Sequence, residues 1–291
     1  MFFAEAFLET VSGFINLNKP SGMSSAAVVG KIKKIVQQPC GHMGTLDPMA
    51  SGVLPVAVGN ASRLFQYLLN KEKVYRAVFR FGVETDTLDA CGTIVREGER
   101  VPDVREIQEH LSEMIGEIDQ IPPAYSAKSV GGVRAYRLAR QGKAVLLDAK
   151  RVHIRSFTLT GQISQDSYEF LIRCGGGTYI RSLGRDLAAS CNTVAVMTSL
   201  MREKSGYFCL QNSNELTAVT SENWKELLIA PDLVFEMPKI NFDGEEARKL
   251  RNGLALPFSE KDGEYKLYLD DEFYGIAQSC SHEVRAKVKL I

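Results

Sequence analysis

The hydrophobic positions of this chain change period several times along its length. Residues 13–18 (Gly-Phe-Ile-Asn-Leu-Asn) form a short apolar run that ends at Lys19-Pro20-Ser21-Gly22, which predicts a strand. Val28, Val29, Ile32, Ile35 and Val36 then recur at helical spacing, with Ser24 or Ser25 as the cap and Pro39 as the stop. Residues 53–58 predict a strand and residues 61–69 a short helix. Residues 73–81 alternate: Tyr75, Ala77, Phe79 and Phe81 share one face, and Val74, Arg76, Val78 and Arg80 the other. A turn-rich acidic connection, 82–92, follows. Pro102 opens a predicted helix with Val104, Ile107, Leu111, Met114, Ile115 and Ile118 on one face, broken at Pro122-Pro123. Residues 134–141 predict a short helix ending at Gly142. Residues 167–174 alternate again, and after three glycines Ile180, Leu183 and Leu187 form a helical stripe. Strands interleave with helices, and many of the strands read as antiparallel. The prediction is a mixed α/β domain built on a largely antiparallel sheet.

A shift in composition between Pro231 and Pro238 separates residues 1–235 from residues 236–291. The second part predicts a helix over 244–252 with Gly253 as its C-cap, then strands at 264–269, 272–277 and 283–291. About 55 residues make a meagre lone core, so this β-rich module is expected to pack on the first domain.

Composition narrows the class. The chain has 291 residues, 45% hydrophobic and 24% charged, which fits a globular protein of about two domains. No apolar run approaches the roughly 20 residues that span a bilayer, so no membrane role is expected. The first fourteen residues carry Glu5 and Glu9 and no Lys or Arg, unlike a secretory signal. The six cysteines form no C-x-x-C pair and match no zinc spacing, which points to a reducing cytoplasm and packing roles. The four histidines are far apart, and no metal motif is visible. Net charge is zero but uneven. Residues 1–210 carry 25 basic against 20 acidic side chains, and residues 211–291 carry 10 against 15. Residues 121–156 hold eight basic side chains against Asp148 alone, a candidate phosphate-binding patch or else a solvated face.

The candidate chemistry begins in the segment 41–55, where a single carboxylate, Asp47, stands among Gly41, Gly44, Gly52, Pro48 and Pro55. It is either an ordinary turn residue or a reagent on a stiff loop, serving as nucleophile or general base. No second ligand stands at metal spacing beside it. Arg181 is a candidate partner: its guanidinium fork orients a carboxylate and lowers its pKa by about 1–3 units. Tyr75 and Tyr179 are core aromatics or stacking surfaces for an extruded base. His42 is a loop histidine or fills a gap in an RNA. The run Gly175-Gly176-Gly177 offers a phosphate cradle, but there is no P-loop or dinucleotide pattern, so no nucleotide cofactor is expected.

Several ordered blocks then combine: INLNKPSGMSS (15–25), GHMGTLDPMASGVLPVAVGNASRL (41–64), KVYRAVFRFG (73–82), TDTLDACG (85–92), IPPAYSAKSVGGVRAYRLARQG (121–142), CGGGTYIRSLGRDL (174–187) and LMREKSGYF (200–208). Together they resemble the TruB family of tRNA pseudouridine-55 synthases, bacterial type. The end, from RNGLALPF (251–258), is similar to the family's small PUA-like tail, here more acidic. The resemblance implies the pseudouridine synthase fold. It also implies a monomeric cytoplasmic isomerase acting on a uridine in the T-arm loop of tRNA, without cofactor, metal or guide RNA. It makes Asp47 the catalytic residue and Tyr75 the residue that stacks on the target uracil and shuttles its last proton. Tyr179 and Leu200 become pocket walls, and Arg181 the partner of Asp47. Asp89 joins the polar network around Arg181, and Lys19 has a supporting role. His42 takes the place of the extruded base. Lys128, Arg134, Arg137, Arg140 and Lys143 meet phosphates. Three rivals remain: a non-catalytic RNA-binding protein on the same scaffold, a guide-RNA-dependent relative of the archaeal and eukaryotic kind, and a retaining glycosidase. The last wants a second carboxylate about 5–5.5 Å away, and none is evident.

Overall fold

A computed structural model describes residues 11–126, 128–130, 132–142 and 147–290. The expectations for the first ten residues and for Lys143 lie outside the described residues. The main sheet runs, from edge to edge, Asn214–Glu215, Gly13–Lys19, Ser51–Val58, Ala195–Ser205, Lys73–Phe81, Ser167–Cys174, Lys150–Gln162 and Gly116–Gln120. Two of these pairings are parallel, Gly13–Lys19 with Asn214–Glu215 and Ser51–Val58 with Ala195–Ser205, and the others are antiparallel. The mixed, largely antiparallel class is as expected.

Alternation along the strands separates two cores. In the first strand Ile15 and Leu17 face one side and Phe14 the other. The Ile15 side holds Tyr75, Ala77, Phe79 and Phe81, and is covered by helices Ser25–Val36 and Ile180–Ser190 through Val28, Ile32, Leu183 and Leu187. On the other face of the Lys73–Phe81 strand, Arg76 bridges Glu169 and Glu203, each at 2.8 Å. Ser24 caps the first helix, its hydroxyl accepting from the Ala27 N–H.

The second helix approaches the sheet closely at Gly184, where a Cβ would lie 2.6 Å from the Phe79 ring. Alanine there gains about 1 kcal/mol of helix propensity. Overpacking against an aromatic ring costs about 1–3 kcal/mol, which outweighs that gain. Gly184→Ala is therefore expected to lower the urea midpoint. A raised midpoint would contradict this packing.

The Phe14 side of the sheet receives the C-terminal part. There five strands, Lys239–Phe242, Gly263–Leu269, Glu272–Cys280, Glu283–Lys289 and Leu256–Pro257, form a separate sheet beside helix Gly244–Arg251. Ile276 and Leu290 insert among Phe14, Leu64, Leu68 and Phe235. The junction is also polar: Asn60 donates to the Leu290 carbonyl at 3.0 Å, Arg63 to the Lys289 carbonyl at 2.7 Å, and Tyr67 to Glu264 at 3.0 Å. The small module thus completes its core against the larger one, as its size requires.

One predicted element is corrected. The helix expected from Pro102 to Ile118 spans only Val104–Leu111, with Asp103 as its cap, and a tight turn at Ser112–Met114 ends it. Gly116, at φ +97°, redirects the chain, and Ile118 enters an edge strand opposite Val152. Ile115 consequently points outward, 46% exposed.

Candidate active site

The Asp47 loop is clamped from several sides. The Ser25 hydroxyl accepts the Leu46 N–H and donates to the Leu46 carbonyl, both at 2.9 Å. The Lys19 ammonium is fully buried and donates to the carbonyls of Pro20 (2.9 Å), Met23 (2.5 Å) and Pro48 (3.2 Å). Desolvation lowers its pKa to about 8, against an opposing pull from Asp47. From the sheet, the buried Arg202 guanidinium donates to the carbonyls of Val53 (2.7 Å), Gly44 (3.1 Å) and Thr45 (3.4 Å). Gly52 sits at φ +100°, where a Cβ would overlap the Arg202 backbone carbonyl. Only glycine allows loop and strand to meet there.

Asp47 faces Arg181 across this frame. Nε of Arg181 lies 2.9 Å from one carboxylate oxygen, and Nη2 lies 3.2 Å from the other, a two-point fork. The guanidinium is itself buried and held by the carbonyls of Thr87 (2.9 Å) and Tyr125 (3.1 Å), with Asp89 at 3.4 Å. Asp89 is oriented in turn by the Thr87 hydroxyl at 2.8 Å and the Cys91 N–H at 3.0 Å. The pairing of Asp47 with Arg181 and the placement of Asp89 follow the expected network. The direction of the pKa shift does not. Burial raises the Asp47 carboxyl above its ordinary value, and the attraction of Arg181 only partly reverses this.

Asp47, Asp89 and Arg181 open onto a cavity of about 840 Å³, whose apolar walls include Tyr75, Tyr179 and Leu200. Tyr75 and Leu200 are buried on neighbouring strands. Tyr179 precedes helix Ile180–Ser190, its backbone held by the Gln120 side chain at 2.8 and 3.1 Å. Burial raises the Tyr75 phenol, so it keeps its proton. Lys73 also lines the cavity. Its ammonium donates to the Leu69 and Lys71 carbonyls at 2.8 and 3.1 Å, and burial lowers its pKa to about 8. Among the described residues, no three His, Cys, Asp or Glu side chains are grouped to hold a metal ion. No described helix is long and apolar enough to cross a membrane.

The other candidate residues stand apart from the cavity wall. Lys19 acts behind the loop. His42 lies on strand Cys40–His42, half-buried, with its pKa lowered by desolvation and by Arg202. Lys128 donates to the Asp148 carbonyl at 3.1 Å. Arg134 and Arg137 are exposed at the start and on the surface of helix Ala135–Arg140, whose last residue is Arg140. Three functional positions carry no pattern of their own in the sequence: Arg202, Ser25 and Lys73. Ser25 is masked by the neighbouring cap Ser24. Arg202 is visible there only as a neighbour of Leu200.

The model of the N-terminal domain of the TruB family pseudouridylate synthases matches residues 33–180. The tRNA pseudouridine synthase B of Clostridium kluyveri is 34% identical over 96% of this chain and 99% of its own length. That of Anaplasma marginale is 45% identical over 69% of this chain and 66% of its own. A chain of the solved Cbf5-Nop10-Gar1 complex superposes with a TM-score of 0.72 at 25% identity, over 96% of this chain and 85% of that one. Sheet, clamped loop and matches together define a pseudouridine synthase. Within that class, the chain belongs to the TruB family.

Proposed function

We propose that this protein converts one uridine of the T-arm loop of tRNA, position 55, to pseudouridine, as a stand-alone enzyme. The observation that carries this reading is the Asp47–Arg181 fork at the wall of a cavity whose apolar side is formed by Tyr75, Tyr179 and Leu200. A base inside a folded loop must leave its stack, at a cost of a few kcal/mol, before a side chain reaches its sugar. Stacking on an aromatic ring returns about 1–3 kcal/mol. Tyr75 supplies that ring, and its protonated hydroxyl suits hydrogen bonding better than proton abstraction.

The C1′–N1 bond then breaks, the freed uracil turns, and C5 bonds to C1′. N1 ends with a proton and C5 loses one, so the reaction is a pure isomerisation. Asp47 assists the cleavage, by attack on C1′ or by taking the C2′ proton to give a glycal. Both routes use the ionised carboxylate. The apolar side of the cavity, Tyr75, Tyr179 and Leu200, faces the detached uracil while it turns. The basic segment beginning at Lys128, with Arg134 and Arg137, meets the phosphates of the arm, so affinity falls with added salt. The test is guide-free turnover of isolated hairpins. Activity on the T-arm hairpin and none on D-arm or anticodon hairpins supports the reading, and the reverse preference rejects it.

The pH dependence follows from the Asp47 shift. The active form is the carboxylate, and its folded pKa is raised. Activity is therefore full above that pKa and is lost as pH falls through it, at a higher pH than an ordinary aspartate would give. Arg181→Lys replaces the fork by a point charge and weakens the main attraction that opposes burial. Its acid limb is expected at higher pH than that of the wild type in single-turnover rates. A limb moved to lower pH would contradict the electrostatics.

A further inference from the structure

Ser126 is a buried residue of the same cavity, 4% exposed, and its hydroxyl has no hydrogen-bond partner among the described residues. Its surroundings are fixed. The preceding Tyr125 carbonyl accepts from Arg181 at 3.1 Å, and the Tyr125 hydroxyl donates to Asp86 at 3.1 Å. The Ser126 carbonyl accepts the Tyr136 N–H, at 3.1 Å, from the helix that carries Arg137. Three tethers thus hold the backbone while the side chain is left unused.

A buried hydroxyl without a partner destabilises the free protein, so native structures rarely retain one. Here it is also closed to solvent, so bulk water does not satisfy it. Rotation about its Cα–Cβ bond swings the hydroxyl without disturbing the tethers, and a hydroxyl both donates and accepts. The group that fills this cavity during the reaction is the extruded nucleotide.

We infer that Ser126 is a substrate-binding residue, hydrogen-bonded through its hydroxyl to a polar group of the extruded uridine. This rests on the isomerase reading above. The partner is either the ribose 2′-hydroxyl or the polar edge of uracil. Because Tyr125 and Ser126 join Arg181 to the basic helix, the same contact ties nucleotide capture to the Asp47 clamp.

The sign of the stability change separates this role from a structural one. Ser126→Ala removes a hydroxyl that bonds to none of the described residues in the free protein, so its Tm should equal or exceed that of the wild type. On an unmodified T-arm hairpin, kcat/KM should fall roughly tenfold, the worth of one good hydrogen bond. Affinities for hairpins carrying uridine or 2′-deoxyuridine at the target then assign the partner. A penalty for Ser126→Ala that vanishes on the deoxy hairpin places the contact on the 2′-hydroxyl, and one that persists places it on uracil. Wild-type rates in Ser126→Ala, or a rate loss explained by a lowered Tm, would overturn the inference. A wild-type protein inert on the hairpin would remove the isomerase reading and this assignment together. An active wild type matched by Ser126→Ala removes the assignment alone.

Discussion

Asp47→Asn should lose pseudouridine formation by roughly 10⁴-fold or more, the scale seen when a central catalytic group is removed. RNA binding should stay within a few-fold of the wild type or tighten. The substitution keeps the side chain's shape but removes a negative charge from a site that receives a polyanion. It also leaves the loop clamps intact, since Ser25, Lys19 and Arg202 all bind backbone atoms rather than the carboxylate. Arg181 retains the Thr87 and Tyr125 carbonyls and Asp89. Parallel single-turnover and equilibrium-binding measurements check this. Full turnover would remove Asp47 from the chemistry. Lost binding would mean that the carboxylate shapes the loop instead.

Arg202→Met should produce the largest stability loss. The guanidinium is almost fully buried and satisfies three carbonyls, two of them in the Asp47 loop. Removing a charge from the interior relieves desolvation, and it also relieves repulsion of Lys19 and Lys73, whose pKa values Arg202 depresses. Against this stand three lost charge-assisted hydrogen bonds, worth about 1.5–3 kcal/mol each. Of the carbonyls they leave, that of Val53 is buried, whereas Gly44 is half-buried and Thr45 exposed at the cavity, so water recovers part of the loss. The hydrogen bonds win, and a net loss of about 3 kcal/mol is expected from urea unfolding. Turnover should fall by more than the unfolded fraction explains, because Gly44 and Thr45 are no longer pinned. A stability change below about 0.5 kcal/mol, the scale of ordinary surface substitutions, would refute this role for Arg202.

Much of this architecture is legible in residue order. The alternation of Tyr75, Ala77, Phe79 and Phe81 marks the central strand and its buried face. The stripe at Ile180, Leu183 and Leu187 marks the helix that carries Arg181. Less visible are the strands Lys150–Gln162 and Ala195–Ser205. Register shifts interrupt both, between Ile154 and Ser156 and between Leu159 and Gly161 in the first, and between Met197 and Ser199 and between Arg202 and Lys204 in the second. A bulge breaks the two-residue period by which a strand is recognised. Arg202 sits at such a shift, and a charged residue there reads as surface until its carbonyl partners, some 150 residues earlier, are known. The predicted helix runs past Leu111 for a different reason: Ile115 and Ile118 keep an apolar period through Gly116, whose backbone angle ends any helix.

The site divides the same way. Asp47 draws attention because a lone carboxylate stands among glycines and prolines, and Arg181 because it follows a glycine run. Their meeting spans 134 positions and rests, in the sequence, on the family resemblance. The expected lowering of the Asp47 pKa is reversed because burial, which no local pattern reports, outweighs the guanidinium. Ser126 is unreadable in sequence, since an unsatisfied hydroxyl is defined only by everything that fails to reach it.

The most direct test of the account is position-resolved mapping of pseudouridine by mass spectrometry, in an unmodified tRNA incubated with the purified protein alone at low salt. One new pseudouridine is expected, at position 55 in the T-arm loop, formed without guide RNA and absent with Asp47→Asn. No product, product at another position, or product only after a guide RNA is added would contradict it.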